Sequence, residues 1–431
     1  MKTVASHALG CKVNQYESEA IGKTFADRGY DVVNVNEVAD VYVINTCTVT
    51  NFGDKKSRQL IRKVKRQNEN AIVVVVGCYA QVAPEEIMKI DGVNLVVGTK
   101  EKSNIVDMVA NYSLENGIEN HVVDIMKEKE FEPLAIGDLK HRTRAYVKIQ
   151  DGCNQFCSYC IIPYARGPIR SRDPKDIVEE VTRLGENGFL EIVLTGIHVA
   201  SYGKDRDDIT FLEILEKVHA VDSIRRIRLS SIEPNVVTAE FISLLKRLPK
   251  ICPHFHLSLQ SGCDATLSRM NRKYTTAQYK LAVEKLKEAL PNVALTTDII
   301  VGFPGETDEE FEITKNFAKD IGFLQIHVFP FSAKKGTRAA AFPDPVADGT
   351  KTARAKVLQA IADQLQEDFI KSQWDNSLSV LVEREVAEGL YEGHTENYIS
   401  VRIASEMNIK NEIIAVKLDK MHNSTIFVKK I

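Results

Sequence analysis

The chemistry of this chain concentrates in one stretch, Asp151-Gly152-Cys153-Asn154-Gln155-Phe156-Cys157-Ser158-Tyr159-Cys160. Its three cysteines form a C-x-x-x-C-x-x-C run directly after an apolar, strand-like segment, Ala145 to Ile149. Thiolates this close can aim three sulfurs at one centre. Iron–sulfur clusters are held by such thiolates, four for a cubane. Three local ligands would leave one iron open to a ligand from outside the protein. Zinc sites pair their cysteines in two separated C-x-x-C units or combine them with spaced histidines, and this run has neither arrangement.

A second set of thiols is spread along the first hundred residues. Strand-like runs at Lys2–Leu9, Val41–Asn45 and Ala71–Val76 are each followed by a cysteine: Cys11, Cys47 and Cys78. The gaps between these cysteines, 36 and 31 residues, each match one strand–helix–strand crossover. The continuous valine run of the third strand suits a parallel sheet buried on both faces. Ligand groups gather at the carboxyl ends of such strands, so three successive strands can bring three cysteines to one point. The competing assignment is three buried structural cysteines. The helices expected between the strands run from about Gln15 to Arg28 and from about Asp54 to Gln67. The second of these is striped by Lys55, Lys56, Arg58, Arg62, Lys63, Lys65 and Arg66.

The supporting elements define an α/β chain in several parts. A polar stretch from Glu115 to Thr143, with Pro133 and Gly137, reads as a linker. Strand-like runs then recur at Ala145–Ile149, Glu191–Leu194, Arg226–Leu229, His254–Leu259, Ala294–Val301 and Phe323–Phe329, with helix-like runs between them. Six βα units predict a parallel barrel or an incomplete one, with its active site at the carboxyl ends of the strands. After a helix over about 349–373 come five short strands and no helix, a pattern that suits a small OB-like β-barrel. The expected division is 1–125 for a three-cysteine parallel α/β domain, 126–143 for the linker, 144–370 for a partial (βα)6 barrel and 371–431 for the terminal β-barrel.

Bulk properties bound the rest. A chain of 431 residues fits two or three domains. Apolar content of 44% and charged content of 27% are those of a globular protein. The formal net charge of −3 excludes a global pull toward nucleic acid, so any such site must come from local patches. No apolar run reaches membrane length. Eight cysteines without an export signal suggest metal ligands or free thiols in a reducing cytoplasm. Cys252 and Cys263 have no partner at ligand spacing and are expected to be structural.

The cysteine run, with the aromatic Tyr159 before its third member, resembles the signature of radical S-adenosylmethionine enzymes. The order of three-cysteine domain, barrel and C-terminal TRAM domain resembles the methylthiotransferase family over essentially the whole chain. Ile161-Ile162-Pro163-Tyr164-Ala165-Arg166-Gly167 and His256-Leu257-Ser258-Leu259-Gln260-Ser261-Gly262 are similar to stretches of that family. Gly152 to Cys157 and Pro163 to Gly167 look most like the branch acting on threonylcarbamoyladenosine in tRNA. Sibling branches act on isopentenyladenosine in tRNA or on an aspartate of a ribosomal protein.

The resemblance implies two [4Fe-4S] clusters and S-adenosylmethionine. One cluster, on Cys153, Cys157 and Cys160, would bind the cofactor at its open iron and cleave it to a 5′-deoxyadenosyl radical. The other, on Cys11, Cys47 and Cys78, would hold the sulfur that is methylated and transferred to C2 of the adenine. Both triplets are then expected to face a single cavity. The resemblance adds Tyr159 as a cofactor contact, and strand-end positions suggest Gly196, His198, Ser231, Glu233, Gln260 and Asp298, each with ordinary capping or turn chemistry as the alternative. His256 reads as a core or network residue. A tRNA anticodon stem-loop is the implied partner, with phosphate contacts from the basic helix and from Arg142, Arg144, Arg166, Arg170 and Arg172. Arg166, Arg269 and Arg272 are the candidates for the substrate's carboxylate. A flavodoxin or ferredoxin as electron donor, a monomeric state and a cytoplasmic location complete the expectation. Two readings compete with it: a two-cluster electron-transfer protein and an RNA-binding protein with structural zinc.

Overall fold

The structure is a computed structural model and describes residues 2–134, 143–422 and 424–431. The first sheet contains β1 (Thr3–Ala8), β2 (Asp31–Val32), β3 (Val41–Thr46), β4 (Ile72–Gly77), β5 (Leu95–Val96) and β6 (Glu119–Asn120). All six strands are parallel, in the order β2-β1-β3-β4-β5-β6. Every residue of β3 is buried and β4 is nearly so, as the unbroken Val and Ile runs require of a sheet covered on both faces.

The helices of this region start earlier than their sequence patterns suggest, and the reason is capping. Thr50 accepts a hydrogen bond from the Gly53 N–H, which moves the start of the basic helix to Asn51. The first helix spans Lys12–Asp27 with Cys11 itself at the N-cap. Cys78 opens the short helix Cys78–Val82.

The stretch read as a linker needs correction in its described part. Its start supplies β6, Ile125 and Leu134 are buried, and the Tyr16 hydroxyl bonds the Leu134 carbonyl. Gly137 and Arg142 lie outside the described residues.

The central region contains β7 (Arg144–Asp151), β8 (Arg170–Ser171), β9 (Glu191–Gly196), β10 (Arg226–Leu229), β11 (His254–His256), β12 (Ala294–Val301) and β13 (Gln325–Pro330). Apart from β8, which lies antiparallel along the end of β7, these strands follow one another in parallel order. Single bridges, Ile227 to Ile251 and Ile232 to Leu257, join the β10 side to the β11 side. Among the described residues β7 and β13 do not pair, so the barrel is incomplete. β11 ends at His256 rather than Leu259. Beyond it the backbone bends toward Gln260, a non-glycine residue at φ +67.

Period-2 alternation sorts these strands into two faces. Val147, Ile149, Leu194, Ile227, Leu229, Phe255, Leu257 and Ile299 join the main hydrophobic core under the surrounding helices. Most of the alternate residues, on the concave side, are polar: Arg144, Lys148 and Gln150 on β7, Glu191 and Thr195 on β9, Arg228 on β10, His254 and His256 on β11, Thr296 and Asp298 on β12, His327 on β13.

The chain ends in a closed five-stranded barrel of β14 (Leu378–Ala387), β15 (Leu390–Thr395), β16 (Ser400–Ala404), β17 (Ile413–His422) and β18 (Thr425–Lys430), ordered β14-β15-β16-β18-β17. It covers the amino-terminal ends of the central strands. Arg226 donates to the Ser379 carbonyl at 2.6 Å and Arg228 to the Glu396 carbonyl at 3.1 Å. The Tyr398 ring stacks on His254 at 4.5 Å and takes the Arg228 guanidinium on its face at 4.7 Å. The floor of the concave space is thus built partly by the terminal barrel.

Candidate active site

The cysteine loop leaves β7 at its carboxyl end and is held on three sides. The Cys153 N–H donates to the Gly167 carbonyl at 3.0 Å, the Ser158 N–H to the Met270 carbonyl at 3.0 Å, and the Ala339 N–H to the Ser158 carbonyl at 2.8 Å. Gly152, at φ +75, lets the chain turn here. A Cβ on it would come within 1.8 Å of the Pro168 carbonyl oxygen. Gly10 performs the same service for the other triplet: at φ +95, its added Cβ would meet the Cys47 Sγ at 2.7 Å.

Each set of thiols is close enough to act as one electrostatic unit. Burial, then Cys78 and Cys11, push the Cys47 thiol up to about 12. Burial and Cys157 push Cys160 up to about 12, and burial raises Cys153 to about 11. Thiols that raise one another in this way are costly to ionise separately. A shared cation removes the repulsion, releasing protons as it binds. Cationic side chains already face both sets. Arg166 Nε donates to Cys78 Sγ at 3.2 Å, and Arg272 donates to Cys157 Sγ at 3.2 Å. Three soft donors per site, glycine-opened approach and facing guanidinium groups fit iron–sulfur clusters with one iron unligated by protein.

Arg166 connects the two sets. It ends the helix Ile162–Arg166, which begins two residues after Cys160 and is about 7 Å long. Its guanidinium is fully buried, bonding Asn14 at 2.6 Å, Glu17 at 3.1 Å and Asp151 at 3.3 Å besides Cys78. Thr99 secures the same helix by donating to the Ala165 carbonyl at 2.6 Å. On the far side of the loop, Lys334 pairs with Asp54, and Asn51 donates to the Ala333 carbonyl at 3.1 Å.

The three arginines expected to meet the substrate's carboxylate already have partners within the protein. Arg166 has no exposed surface. Arg269 is engaged by Glu310, and Arg272 by Glu233 at 2.8 Å and by Cys157. Nor do Arg144, Arg170 and Arg172 form a phosphate-binding rim. Arg144 pairs with Glu383 at 3.1 Å on the floor, Arg170 is buried against Asp151, and Arg172 pairs with Glu180.

The positions suggested for cofactor contact divide into groups. Gln150 Oε1 accepts the His198 N–H at 2.8 Å and would lie 2.8 Å from a Cβ on Gly196. His198 bonds Ser201 at 2.6 Å and lies 3.3 Å from Glu233. Burial would raise the Glu233 carboxyl, but the His198 hydrogen bond and the Arg272 charge hold it below its ordinary value. Ser231 is exposed beside them. The Tyr159 ring packs on an apolar cluster, 6.5 Å from the Phe303 ring. Gln260 sits in the left-handed region and receives its order from the Asp298 carbonyl, 2.8 Å from its N–H. Such non-glycine conformations cost of order 1–3 kcal/mol and cluster at functional sites.

Three groups deeper in the concave space escaped the sequence reading as a set. His256 Nδ1 bonds Thr296 at 3.1 Å, its Nε2 lies 3.4 Å from Asp298, and the His327 ring stacks at 6.1 Å. The signal was present in the polar alternate residues of each strand.

A three-cysteine loop at the mouth of an incomplete parallel barrel, joined through Arg166 to a second three-cysteine sheet, defines a class: radical SAM proteins with an additional cysteine domain. The Radical SAM superfamily model matches residues 147–318, and the model for uncharacterized protein family UPF0004 matches residues 3–98. The chain is 46% identical to the threonylcarbamoyladenosine tRNA methylthiotransferase MtaB of Bacillus subtilis, over 97% of this chain and 94% of that one. It is 39% identical to the protein of the same description from Aquifex aeolicus, over 93% and 96%. A tRNA-2-methylthio-N(6)-dimethylallyladenosine synthase of Clostridium novyi is 36% identical, over 87% and 84%. The radical S-adenosylmethionine methyltransferase TsrM of Kitasatospora setae shares the fold at TM-score 0.56 and 16% identity, over 76% of this chain and 73% of that one. The chain belongs to the radical SAM methylthiotransferase family.

The glycine before the loop yields a direct expectation. Gly152→Ala forces the left-handed backbone onto a residue with a Cβ, costing about 1–2 kcal/mol before the clash with Pro168. Reconstituted protein should then lose the iron of one cluster and produce no 5′-deoxyadenosine. Iron analysis and chromatography of the products check this.

Proposed function

We propose that this chain is a transferase that adds a methylthio group to C2 of N6-threonylcarbamoyladenosine beside the anticodon of tRNA. S-adenosylmethionine and two [4Fe-4S] clusters serve it, one cluster on Cys153, Cys157 and Cys160 and one on Cys11, Cys47 and Cys78. The observation that carries the chemistry is Arg166, whose one side chain spans from the barrel's cysteine loop to Cys78. The substrate follows from the relatives, at 46% identity for the threonylcarbamoyladenosine description against 36% for the dimethylallyladenosine one.

Bound at these sites, the clusters and the cofactor would supply the electron, the hydrogen-abstracting radical and the methylated sulfur. The chain's own share is placement. Arg166 and Arg272 set the charge beside each thiol set. Gln150, His198, Glu233 and Gln260 line the strand ends where the cofactor would lie. The division into 1–125, 144–370 and 371–431 assigns sulfur carriage to the first part, radical generation to the second and RNA contact together with the floor to the third.

tRNA contact draws on the basic helix, where Lys55, Lys56, Arg62 and Arg66 are exposed and have no carboxylate partner among the described residues. Replacing these four by glutamine should weaken tRNA binding. It should also lower the slope of log affinity against log salt by about 0.7–0.9 per lost phosphate contact. Titrations at several salt concentrations read both quantities. A flavodoxin or ferredoxin as reductant, a monomer and a cytoplasmic site of action belong to the same reading. Among the described residues no helix is long and apolar enough to cross a membrane.

The test is nucleoside mass spectrometry of tRNA from cells lacking this gene. Loss of the methylthio group from threonylcarbamoyladenosine alone supports the reading. Its persistence there, with loss from isopentenyladenosine, would overturn it.

A further inference from the structure

Three side chains of the concave space have no part in the function described above: His256, Asp298 and His327. They come from three adjacent parallel strands, β11, β12 and β13. Strand register brings them together. His256 pairs with Thr296, two residues before Asp298 on the same face, and Asp298 pairs with His327. One ring nitrogen of each histidine and one oxygen of the carboxylate all lie within 4.8 Å of one another.

The hydrogen bonds show which atoms are spare. Thr296 Oγ1 engages Nδ1 of His256 at 3.1 Å, which orients the ring and leaves Nε2 over. That Nε2 is buried and has no hydrogen-bond partner among the described residues, although Asp298 Oδ2 lies 3.4 Å away. His327 is exposed and makes no hydrogen bond among the described residues. Its ring stacks on His256 at 6.1 Å between centroids. Buried polar atoms are almost always satisfied, so an orphaned nitrogen facing a carboxylate calls for a cation between them.

We propose that His256, Asp298 and His327 form a binding site for one divalent transition-metal ion of the zinc or ferrous class. Two imidazoles and one carboxylate are a donor set of that class, whereas magnesium and calcium take oxygen ligands. The spacing agrees. Metal–ligand bonds of about 2.0–2.1 Å at tetrahedral angles put two ligand atoms about 3.4 Å apart, which matches the separation of Nε2 and Oδ2. The exposed, unbonded His327 ring has the freedom to close the remaining gap. Thr296 is the outer partner that a ligating histidine needs on its other nitrogen. The ion also has a way in, since His327 lines a cleft of about 270 Å3 with Gln359, Asp363 and Gln366 beside β13. Three protein ligands leave a position for an oxygen donor from water or a bound molecule. The site depends on neither cluster and not on which nucleoside is the substrate.

The experiment uses the reconstituted protein, with both clusters in place so that the thiols are occupied. It is dialysed against micromolar Zn2+, and zinc and iron are measured together. The wild type should hold one zinc per chain beyond that held by His327→Ala or Asp298→Asn, with iron equal in all three. His327 is exposed and asparagine keeps the shape of aspartate, so both variants should fold, and their iron content verifies it. Thr296→Val should weaken zinc binding by about 10–100-fold while keeping the stoichiometry at saturation. X-ray absorption at the zinc edge should show imidazole scattering and nitrogen or oxygen neighbours at about 2.0–2.1 Å. Sulfur neighbours at about 2.3 Å would mean that zinc sits on the thiols, and that overturns the inference. Equal zinc in wild type and variants, which marks adventitious binding only, overturns it as well. So does a wild type that takes up no zinc, since a proton shared by His256 and Asp298 would then be the cation between them.

Discussion

Replacing Cys153, Cys157 and Cys160 by alanine should abolish 5′-deoxyadenosine and methylthiolated product together. Replacing Cys11, Cys47 and Cys78 should abolish product while 5′-deoxyadenosine continues to form. The two triplets belong to different sheets and are held by different contacts. The barrel loop hangs from Gly167, Met270 and Ala339. The other triplet depends on the strand ends of β1, β3 and β4 and on the Gly10 turn. Each variant should therefore retain the iron of one cluster. The separation should be incomplete in one respect. Arg166 lies against Cys78 and grows from the helix that follows Cys160, so loss of the auxiliary site should slow cofactor cleavage without ending it. Iron content, 5′-deoxyadenosine and nucleoside product, measured on the same samples, check all three points. Radical formation that disappears with Cys11, Cys47 and Cys78 would mean the sites do not divide the chemistry in this way.

The legible part of this protein was the part written in local pattern. The valine run of β4, the strand-then-cysteine spacing and the short terminal strands each follow from the period of the backbone, and the observed bounds differ by a few residues. The cysteine positions were readable in the same way, since Cys11, Cys47, Cys78 and Cys153 each follow the end of a strand. What stayed hidden depended on partners distant in sequence. Arg166 looked like a free cation next to the cluster loop; only Asn14, Glu17 and Cys78, brought in by another sheet, show that it is internal. The floor was hidden similarly, because Tyr398 reaches His254 from the terminal barrel. The alternation of Arg144, Lys148 and Gln150, of Arg226 and Arg228, and of His254 and His256 was in the sequence throughout. Read at period two, it would have marked the concave side as polar.

Arg166→Met should produce the largest loss of any single substitution outside the cysteines. Methionine keeps much of the volume but none of the charge. Glu17, fully buried, would keep Lys102 at 3.5 Å and Lys148 at 2.8 Å but lose its guanidinium partner. Burial works to raise the Glu17 carboxyl, and Arg166, then Lys102 and Lys148, outweigh it and hold the group well below the usual range. Breaking such a buried pair by removing one partner costs roughly 3–5 kcal/mol. The pH dependence follows from the sign of that shift. A depressed carboxyl contributes stability that is present above its unfolded value and is lost as pH falls through the folded one. The gap in stability between wild type and variant should thus be widest near neutral pH and should narrow as the solution becomes acid. Denaturant titrations at several pH values measure it, and a gap that widens in acid would contradict the assignment. Arg166→Lys should recover part of the stability but little product, because one ammonium cannot serve Asn14, Glu17, Asp151 and Cys78 at once. Adding Glu17→Gln to Arg166→Met should likewise restore part of the stability by removing a buried carboxylate that has lost one of its three cationic partners, yet it leaves Cys78 without its cation. Stability and methylthiolation should therefore part company in the double variant. If they recover together, Arg166 serves only the fold, and the chemical role given to its contact with Cys78 fails.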